Sequence, residues 1–255
     1  MYIDPDIRRA HTLPSEFYLD EQYFELSKER IFARTWQFVA GPELEKSLTP
    51  IDLLPGFLNE PLLLSKGDDL KCLSNVCTHR GKVLIEEPCD ANLIRCGYHG
   101  RRFSLDGKFL SMPEFEGVEN FPSDADDLRK VPAAVHNGFT FASLEPVAPF
   151  GDFVEGWPVT GDGQGLEFAG KREYEVNAHW ALYCENYLEG FHIPFVHQSL
   201  NSIVDYVSYT TETFRYSSLQ TGYDADGKIA ARYLFIFPNL MFNFYPWGIS
   251  VNLVR

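Results

Sequence analysis

Two short runs each pair a cysteine with a histidine: Cys77-Thr-His79 and Cys96-Gly-Tyr-His99, with sixteen residues between them. Together they supply two thiolates and two imidazoles, all of them metal ligands. These residue types can hold a structural zinc ion, or an iron-sulfur cluster in which two Cys bind one iron and two His bind the other. Zinc motifs usually pair Cys with Cys and His with His, so a mixed pair on each run favours the cluster.

A second group of candidate ligands lies about a hundred residues later. On a helix, Glu185, Glu189 and His192 fall at spacings of four and three and share one face. His197 would point about 140° away from His192 on a straight helix, so we expect Pro194 to bend or end the helix and bring both imidazoles to one metal. Two His and a carboxylate are the ligand set of mononuclear non-haem iron(II) oxygenases. Histidines five apart are often unrelated, and it is the nearby carboxylate and the upstream Cys/His runs that favour a metal site.

The elements around the first two runs are predicted to be short strands. Residues 36–146 contain short apolar runs divided by Gly, Pro, Asn and Asp, which indicates a small all-β domain. Residues 105–109 carry an Asp-Gly pair typical of a tight hairpin. The Cys and His side chains are therefore expected on loops held by hairpins. Before this domain, residues 18–34 read as one helix with Asp20 as its N-cap.

The second group lies in a different kind of sequence. After a connection rich in Gly, Pro and Asp, the pattern predicts a strand at 173–177, a helix at 180–191 and aromatic, β-prone runs at 210–219, 229–237 and 240–254. This order indicates an α+β fold with a helix on an antiparallel sheet. We expect an N-terminal helical segment (1–35) that packs on a catalytic domain (151–255), with the all-β domain (36–150) inserted between them.

Composition excludes some classes of partner. The 255 residues are 45% hydrophobic and carry a net charge of -14, which disfavours nucleic acid as a partner. No apolar run approaches the ~20 residues that span a bilayer, and the start lacks a secretory signal pattern. The five Cys fit a reducing compartment, and we interpret Cys72, Cys89 and Cys184 as small core residues. We therefore expect a cytoplasmic protein with no membrane contact.

The runs Asn75-Val-Cys-Thr-His-Arg-Gly81 and Cys96-Gly-Tyr-His-Gly100, followed by Phe103-Ser-Leu-Asp-Gly107, resemble the Rieske domain of ring-hydroxylating oxygenase alpha subunits. In respiratory Rieske proteins each ligand loop has an additional Cys, and the matching positions here are Lys82 and Tyr98. The resemblance is thus to the oxygenase or ferredoxin branch.

One position departs from the oxygenase pattern. Arg101 stands where Trp is common after the His-Gly pair. We expect this arginine to alter the surface contacts of the cluster and not its ligation.

The resemblance implies the cofactors, ligands and assembly. The fold would be an all-β Rieske domain before a helix-grip, START-like catalytic domain. Glu189 would bond His192 and, across a subunit boundary, the cluster ligand His99, which gives an electron path in a homotrimer. Cys77, His79, Cys96 and His99 would hold a 2Fe-2S cluster. His192 and His197 would hold a mononuclear Fe(II).

The third iron ligand of the family is a carboxylate far downstream of the two His. The carboxylates available after His197 are Asp205, Glu212, Asp224 and Asp226. None stands in a matching position, and Asp224-Ala-Asp-Gly227 reads as a hairpin turn. We therefore expect the chain to be C-terminally incomplete.

The resemblance predicts an enzyme that passes electrons from the cluster to Fe(II), activates O2 and hydroxylates a small organic substrate. Gly161-Asp-Gly-Gln-Gly165 lacks the nucleotide-binding pattern, so electrons would come from a separate NAD(P)H-dependent flavin or iron-sulfur reductase. Glu189 and the aromatic tail 237–248 resemble the branch that oxidises quaternary amines. An aromatic pocket suits a trimethylammonium group through cation-π attraction and an aromatic ring through stacking, so both substrates stay open, as do mono- and dioxygenation.

Two other functions compete with this one. A Rieske ferredoxin-like electron carrier would need only the first two runs and has no use for His192 and His197. A catalytically inactive, shortened paralogue would keep them without the third ligand.

Overall fold

The computed structural model describes residues 2–42, 44–158, 165–196 and 206–255. The chain folds into two compact units, each described here by itself. The cluster unit contains the described residues of 33–150 and 160–167, and the helix-sheet unit contains those of 1–32, 151–159 and 168–255.

The cluster unit is built from three small antiparallel sheets, with strand orders β1-β10-β9, β2-β3-β4-β8 and β5-β6-β7. Its strands are short apolar runs that each end at a turn. The strands are β1 (Gln37–Ala40), β2 (Leu48–Leu53), β3 (Glu60–Lys66), β4 (Leu70–Ser74), β5 (Ile94–Arg95), β6 (Arg102–Phe103), β7 (Phe109–Ser111), β8 (Lys130–Val131), β9 (Ala133–His136) and β10 (Phe139–Ala142).

Buried side chains from these sheets form one core, and the two cysteines of the candidate cluster belong to it. Leu48, Leu63, Leu73 and Phe103 are fully buried in this core. Because the thiols are packed into the apolar interior, the ligand loops are anchored at their cysteine ends. The predicted all-β character is confirmed.

The predicted hairpin at 105–109 is confirmed and connects β6 to β7. The N–H of Ser104 donates to the carbonyl of Lys108 (2.8 Å), and Gly107 has φ +82°. A Cβ at Gly107 would lie 3.0 Å from a methyl of Leu73 and 3.2 Å from Leu128. Glycine is therefore required there both by the backbone conformation and by the packing.

The helix-sheet unit contains a five-stranded antiparallel meander in sequence order. The elements are α1 (Ser15–Leu19), α2 (Glu21–Arg30), α3 (Phe150–Phe153), which begins within the cluster unit, α4 (Trp180–Leu188), α5 (Ile193–Val196), β11 (Thr210–Thr213), β12 (Ser217–Tyr223), β13 (Ile229–Ile236), β14 (Leu240–Tyr245) and β15 (Gly248–Leu253).

Helix α4 lies on this sheet. The hydroxyl of Tyr187 donates to the side-chain oxygen of Asn243 on β14 (2.8 Å), and the side-chain amide of Gln220 on β12 donates to the Tyr187 carbonyl (2.8 Å). These bonds join the C-terminal end of the helix to two strands. The predicted helix on an antiparallel sheet is confirmed.

The sheet differs from the prediction in its boundaries. Residues 210–219 and 240–254 were each expected as one run, and each is divided between two strands by a turn. The strand predicted at 173–177 is wrong: that segment has no strand structure, and Tyr174 in it is 77% exposed. Alternation of apolar residues does not make a strand where no neighbouring strand supplies hydrogen bonds. The turn at 224–227 is confirmed, since the N–H of Gly227 donates to the Asp224 carbonyl (3.0 Å).

The N-terminal helix predicted at 18–34 is instead two helices, α1 and α2. Asp20 separates them and accepts a hydrogen bond from the N–H of Gln22 (2.9 Å), so its predicted N-cap role is confirmed. Tyr18, at the end of α1, donates its hydroxyl to the carboxylate of Glu185 on α4 (2.6 Å). The N-terminal segment is thereby bonded to α4.

Two further sequence-based expectations concern single features. Cys72 and Cys184 are buried free thiols, as expected, whereas Cys89 is half-buried. No helix within the described residues is long and apolar enough to cross a membrane.

Candidate metal centres

The first ligand loop follows β4 and is closed by two backbone hydrogen bonds. The N–H of Cys77 donates to the carbonyl of Lys82 (2.9 Å), and the N–H of Gly81 donates to the carbonyl of Cys77 (3.0 Å). Gly81 has φ +69°, the left-handed conformation that favours glycine. The loop therefore turns back on itself and presents the side chains between Cys77 and Gly81 on its outer edge.

The second ligand loop, between β5 and β6, repeats this pattern. The N–H of Cys96 donates to the carbonyl of Arg101 (2.8 Å), and the N–H of Gly100 donates to the carbonyl of Cys96 (3.1 Å). Gly100 has φ +71°. The two loops thus use the same two bonds and the same glycine position.

The four predicted ligands converge. Cys77 and Cys96 are buried, and their thiols are close enough to shift each other's pKa. The rings of His79 and His99 lie 4.8 Å apart between centroids. His79 is half-buried and His99 is exposed. The thiols therefore form an inner pair and the imidazoles an outer pair.

This arrangement fits a 2Fe-2S cluster, which takes two Cys on one iron and two His on the other. Within the part of the chain that the structure describes, no three His, Cys, Asp or Glu side chains are grouped as ligands of a single metal ion. A cluster requires only two protein ligands per iron.

The electrostatics of the loops favour the ligand forms of Cys96 and His79, whereas burial raises the pKa of Cys77. Burial acts to raise the pKa of Cys96, but hydrogen bonds from the N–H groups of Tyr98 and His99 outweigh it and lower that pKa. Burial, followed by the positive charges of His99 and of Arg80 and Arg101, lowers the pKa of His79. A thiolate and a neutral imidazole are the forms that bind metal.

Arg101 was expected to alter the surface contacts of the cluster, but its side chain is buried. Its guanidinium lies 2.5 Å from a carboxylate oxygen of Asp126 and 4.8 Å from the ring centroid of Phe109. A charged side chain is tolerated in an interior when it is paired and hydrogen bonded. The sequence does not show this pairing, because Asp126 is distant in the chain.

The second candidate site lies at the end of α4. The helix was predicted to continue to 191, with Glu185, Glu189 and His192 on one face, and that prediction is wrong. Helix α4 ends at Leu188, and Glu189 is extended (φ -121°, ψ 150°). Gly190 follows immediately, and glycine is a poor helix former because it loses most backbone freedom on ordering.

Glu189 contacts His192 from the extended segment after α4, and not as a neighbour on one helix face. Its carboxylate accepts hydrogen bonds from the backbone N–H groups of Phe191 (2.5 Å) and His192 (3.3 Å), and it lies 2.5 Å from Nδ1 of His192. A carboxylate only accepts, so the ring proton of a neutral His192 is at Nδ1 and Nε2 is left to bind a metal. Burial acts to raise the pKa of Glu189, but these bonds outweigh it and lower the pKa, which keeps the group anionic.

Pro194 was expected to bend or end the helix, and it does neither. It lies in the first turn of α5 (Ile193–Val196), where a missing N–H leaves no helical bond unmade. The chain turns earlier, between Glu189 and His192, and the N–H of Ile193 donates to the carbonyl of Gly190 (3.1 Å).

Two of the residues considered as iron ligands, His197 and Asp205, lie outside the described residues. Glu212 is exposed on the edge strand β11, and Asp224 accepts from the N–H groups of Asp226 and Lys228 in its turn. Glu185, which was predicted to share a helix face with Glu189 and His192, accepts a hydrogen bond from the hydroxyl of Tyr18.

A cavity of about 200 Å³ opens beside His192 and Glu189. Four tyrosines and three amides dominate its wall, and its lining consists of Tyr183, Asn186, Tyr187, Glu189, His192, Ile193, Tyr209, Gln220, Tyr233 and Asn243. The aromatic tail 237–248, which was expected to form the pocket, supplies only Asn243. Phe242 and Phe244 of that tail pack on Trp157 instead, at 4.7 and 5.6 Å between ring centroids.

Hydrogen bonds fix two of the tyrosines. Tyr209 donates to the side-chain oxygen of Gln220 (3.0 Å), Gln220 donates to the Tyr187 carbonyl, and Tyr187 donates to Asn243. Burial raises the pKa of Tyr187 and raises that of Tyr233 to about 12, so both phenols are neutral. Sequence reasoning missed these residues; the only sequence signal was the spacing of four between Tyr183 and Tyr187, which places both on one helix face.

Part of the chain matches a known family model, and most of it is similar to curated proteins. Residues 55–122 match the family model of the Rieske [2Fe-2S] domain. Chloroplastic choline monooxygenase of Arabidopsis thaliana is 30% identical over 98% of this chain and 66% of its own length. The carnitine monooxygenase oxygenase subunit of Escherichia coli (strain K12) is 31% identical over 85% of this chain and 60% of its own length.

A solved structure is similar over most of the chain. It is that of a quaternary ammonium Rieske monooxygenase, described in terms of carnitine oxidation and inter-subunit electron transfer, with a TM-score of 0.78 and 27% identity over 95% of this chain and 71% of that one. This chain spans less than two thirds of the length of the two curated relatives.

Proposed function

We propose that the whole protein is a monooxygenase whose substrate is a quaternary amine. The premise is that this chain belongs to the alpha-subunit family of Rieske non-haem iron oxygenases. The observation that carries the proposal is the tyrosine-lined cavity beside His192 and its partner Glu189. The division into residues 1–35, 36–150 and 151–255 is part of the same proposal, and the boundaries of the two compact units support it.

The cluster unit serves as the entry for electrons. Cys77 and Cys96 hold one iron of the 2Fe-2S cluster, and His79 and His99 hold the other, in line with the inner thiol pair and the outer imidazole pair. His99 is the exposed member. Electrons therefore leave through the imidazole side, and they reach the cluster from a separate NAD(P)H-dependent reductase.

The helix-sheet unit holds the mononuclear iron. Its ligands are His192 and His197, and the iron when bound supplies the activation of O2. Glu189 holds the Nδ1 proton of His192 and fixes the direction of the ring, so that Nε2 stays available as a ligand atom. The carboxylate that completes the ligand set stays unassigned.

The charge distribution in the cavity favours a cation. Tyrosine ring faces attract a quaternary ammonium group by ~0.5 to 2 kcal/mol per ring, depending on how dry the site is. Glu189 provides a negative charge on the wall, and none of the described residues that line the cavity is Lys or Arg. An aromatic substrate would use the ring faces and gain nothing from that charge.

Assembly is proposed on the same basis. We expect a homotrimer in which Glu189 of one subunit bonds His99 of the next, so that the electron crosses between subunits. The inter-subunit electron transfer described for the quaternary ammonium relative supports this arrangement. A cytoplasmic location is proposed from the reduced cysteines that the site needs.

Substrate-dependent oxygen uptake tests the proposal. The full-length gene product, reconstituted with iron and sulfide and supplied with a reductase, is offered choline, carnitine, glycine betaine and benzoate in parallel. We expect oxygen uptake coupled to product only with quaternary amines. Uptake with benzoate alone would refute the amine assignment, and reduction of the cluster without uptake on any substrate would favour the electron-carrier reading.

A further inference from the structure

Arg101 is a buried cation next to the cluster ligands. Only 3% of its side chain is exposed, against 19% for its partner Asp126. Its guanidinium carbon lies over three aromatic rings, at 4.8 Å from Phe109, 5.6 Å from Phe121 and 5.7 Å from Phe103. Since the arginine is less exposed than the aspartate, water screens its charge less.

The arginine belongs to one ligand loop, and its partner is bonded to the other. The carbonyl of Arg101 closes the second loop by accepting from Cys96 (2.8 Å). The carbonyl of Asp126 accepts from the hydroxyl of Thr78 (2.8 Å), which lies between the two ligands of the first loop. The Arg101–Asp126 pair therefore joins the two ligand loops to each other.

Asp126 is itself held in place. It ends a short 3₁₀ turn, Asp124–Asp126, and its Oδ2 accepts from the N–H (2.8 Å) and the hydroxyl (3.1 Å) of Ser123. Its other oxygen, Oδ1, faces Arg101. The guanidinium of Arg101 thus has a fixed partner. The fold therefore sets the distance between this guanidinium and the ligand loops.

We propose that Arg101 is a positioning residue that raises the reduction potential of the 2Fe-2S cluster through its permanent buried charge, and that Asp126 moderates this effect. Reduction adds one electron to the cluster, and a nearby positive charge stabilises the added electron. Arginine stays protonated at all accessible pH values, so the contribution does not depend on pH. The inference rests on the proposed cluster ligation.

A purely structural role makes a different prediction. If the pair only holds the loops together, loss of either partner should loosen the same loops and change the cluster in the same direction. If the charges act on the cluster, loss of the cation and loss of the anion should move the potential in opposite directions. The sign of two shifts therefore separates the two roles.

The test is spectroelectrochemical titration of the full-length reconstituted protein, with iron and sulfide counts and the electron paramagnetic resonance spectrum as a check on the cluster. We expect Arg101→Gln to lower the equilibrium constant for reduction at least tenfold, which is about 59 mV for one electron. We expect Asp126→Asn to raise that constant and Arg101→Lys to stay near the parent. Arg102→Gln is the matched control, because Arg102 is the next residue and is exposed.

Shifts of the same sign in Arg101→Gln and Asp126→Asn, or no shift in either, would overturn the proposal. If Arg101→Gln fails to assemble a cluster, the other two variants decide. A lowered or unchanged reduction potential in Asp126→Asn overturns the proposal. A strongly lowered reduction potential in Arg101→Lys also overturns it. If the parent protein binds no 2Fe-2S cluster, both the proposed ligation and this inference are refuted. If the cluster assembles normally but the two variants do not shift its reduction potential in opposite directions, only this inference is refuted.

Discussion

Glu189 shows how one carboxylate determines which ring nitrogen of His192, the proposed iron ligand, carries the proton. It receives two backbone N–H groups and the ring N–H of His192. The backbone bonds hold the carboxylate, and the carboxylate holds the ring. The backbone bonds of Glu189 therefore decide, through its carboxylate, which imidazole nitrogen of His192 stays free of a proton.

Replacement of Glu189 by Gln is expected to weaken iron binding at the mononuclear site by roughly 10- to 100-fold, the range found when such a partner of a metal-bound histidine is lost. The amide is uncharged and makes the ring nitrogen a weaker ligand. Chelator competition on the cluster-loaded full-length protein measures the affinity. The iron and sulfide content of the cluster should not change.

Glu185→Gln is the matched control for this variant. Glu185 lies one helical turn earlier and bonds Tyr18 instead of a histidine. Iron affinity equal to the parent is expected for it. Equal losses in the two variants would contradict the role assigned to Glu189.

At the scale of elements, both ligand loops depend on tight turns that only glycine makes easily. The hairpin from β6 to β7 follows the second loop and packs its turn on Leu73 of β4 and on Leu128. A local turn is thus also a tertiary contact. Its stability is coupled to the core in which Cys77 and Cys96 are anchored.

Gly107→Ala is expected to lower the free energy of unfolding by about 2 to 4 kcal/mol. Roughly 1 to 2 kcal/mol comes from the positive φ, and the remainder comes from overpacking against Leu73 and Leu128. Urea unfolding of the reconstituted protein, followed by circular dichroism, measures the change.

Gly56→Ala separates the two contributions. Gly56 has a similar φ of +78° in the same unit, but nothing lies within 4 Å of its Cβ position. It should therefore lose only the backbone part, about 1 to 2 kcal/mol. Equal losses at the two glycines would mean that packing at Gly107 contributes nothing.

At the scale of the whole molecule, the net charge of -14 creates a field that attracts cations. The negative Glu189 on the cavity wall acts in the same direction at short range. Both effects favour a quaternary amine over an anionic aromatic acid. Exposed charges are screened by salt, whereas a buried charge is screened much less.

The apparent KM for choline is therefore expected to rise by roughly twofold or more between 20 and 300 mM NaCl, because the Debye length shortens over this range. Carnitine, a zwitterion with no net charge, serves as the matched substrate and should change less. Steady-state oxygen uptake by the full-length protein measures both. A KM for choline that is independent of salt would contradict a role for the overall charge.

The sequence by itself determined the features that depend on neighbouring residues. The two Cys/His runs predict that the four candidate ligands converge, and they do so because each loop closes on itself, with bonds between residues four and five apart. The five-stranded meander follows sequence order, so its strands were recognisable even though the turns at 214–216 and 246–247 were missed. The hairpins at Gly107 and Gly227 needed only local turn chemistry.

Only the tertiary structure decided what depends on distant residues. The burial of Arg101 against Asp126 and the tyrosine wall built from α4, β13 and the segment before β11 both join parts of the chain far apart in sequence. Helix periodicity placed Glu189 on the wrong element, yet the bend at Gly190 still brought it to His192. Pairings of this kind are set by packing and by the satisfaction of buried polar groups, which no local pattern of residues records.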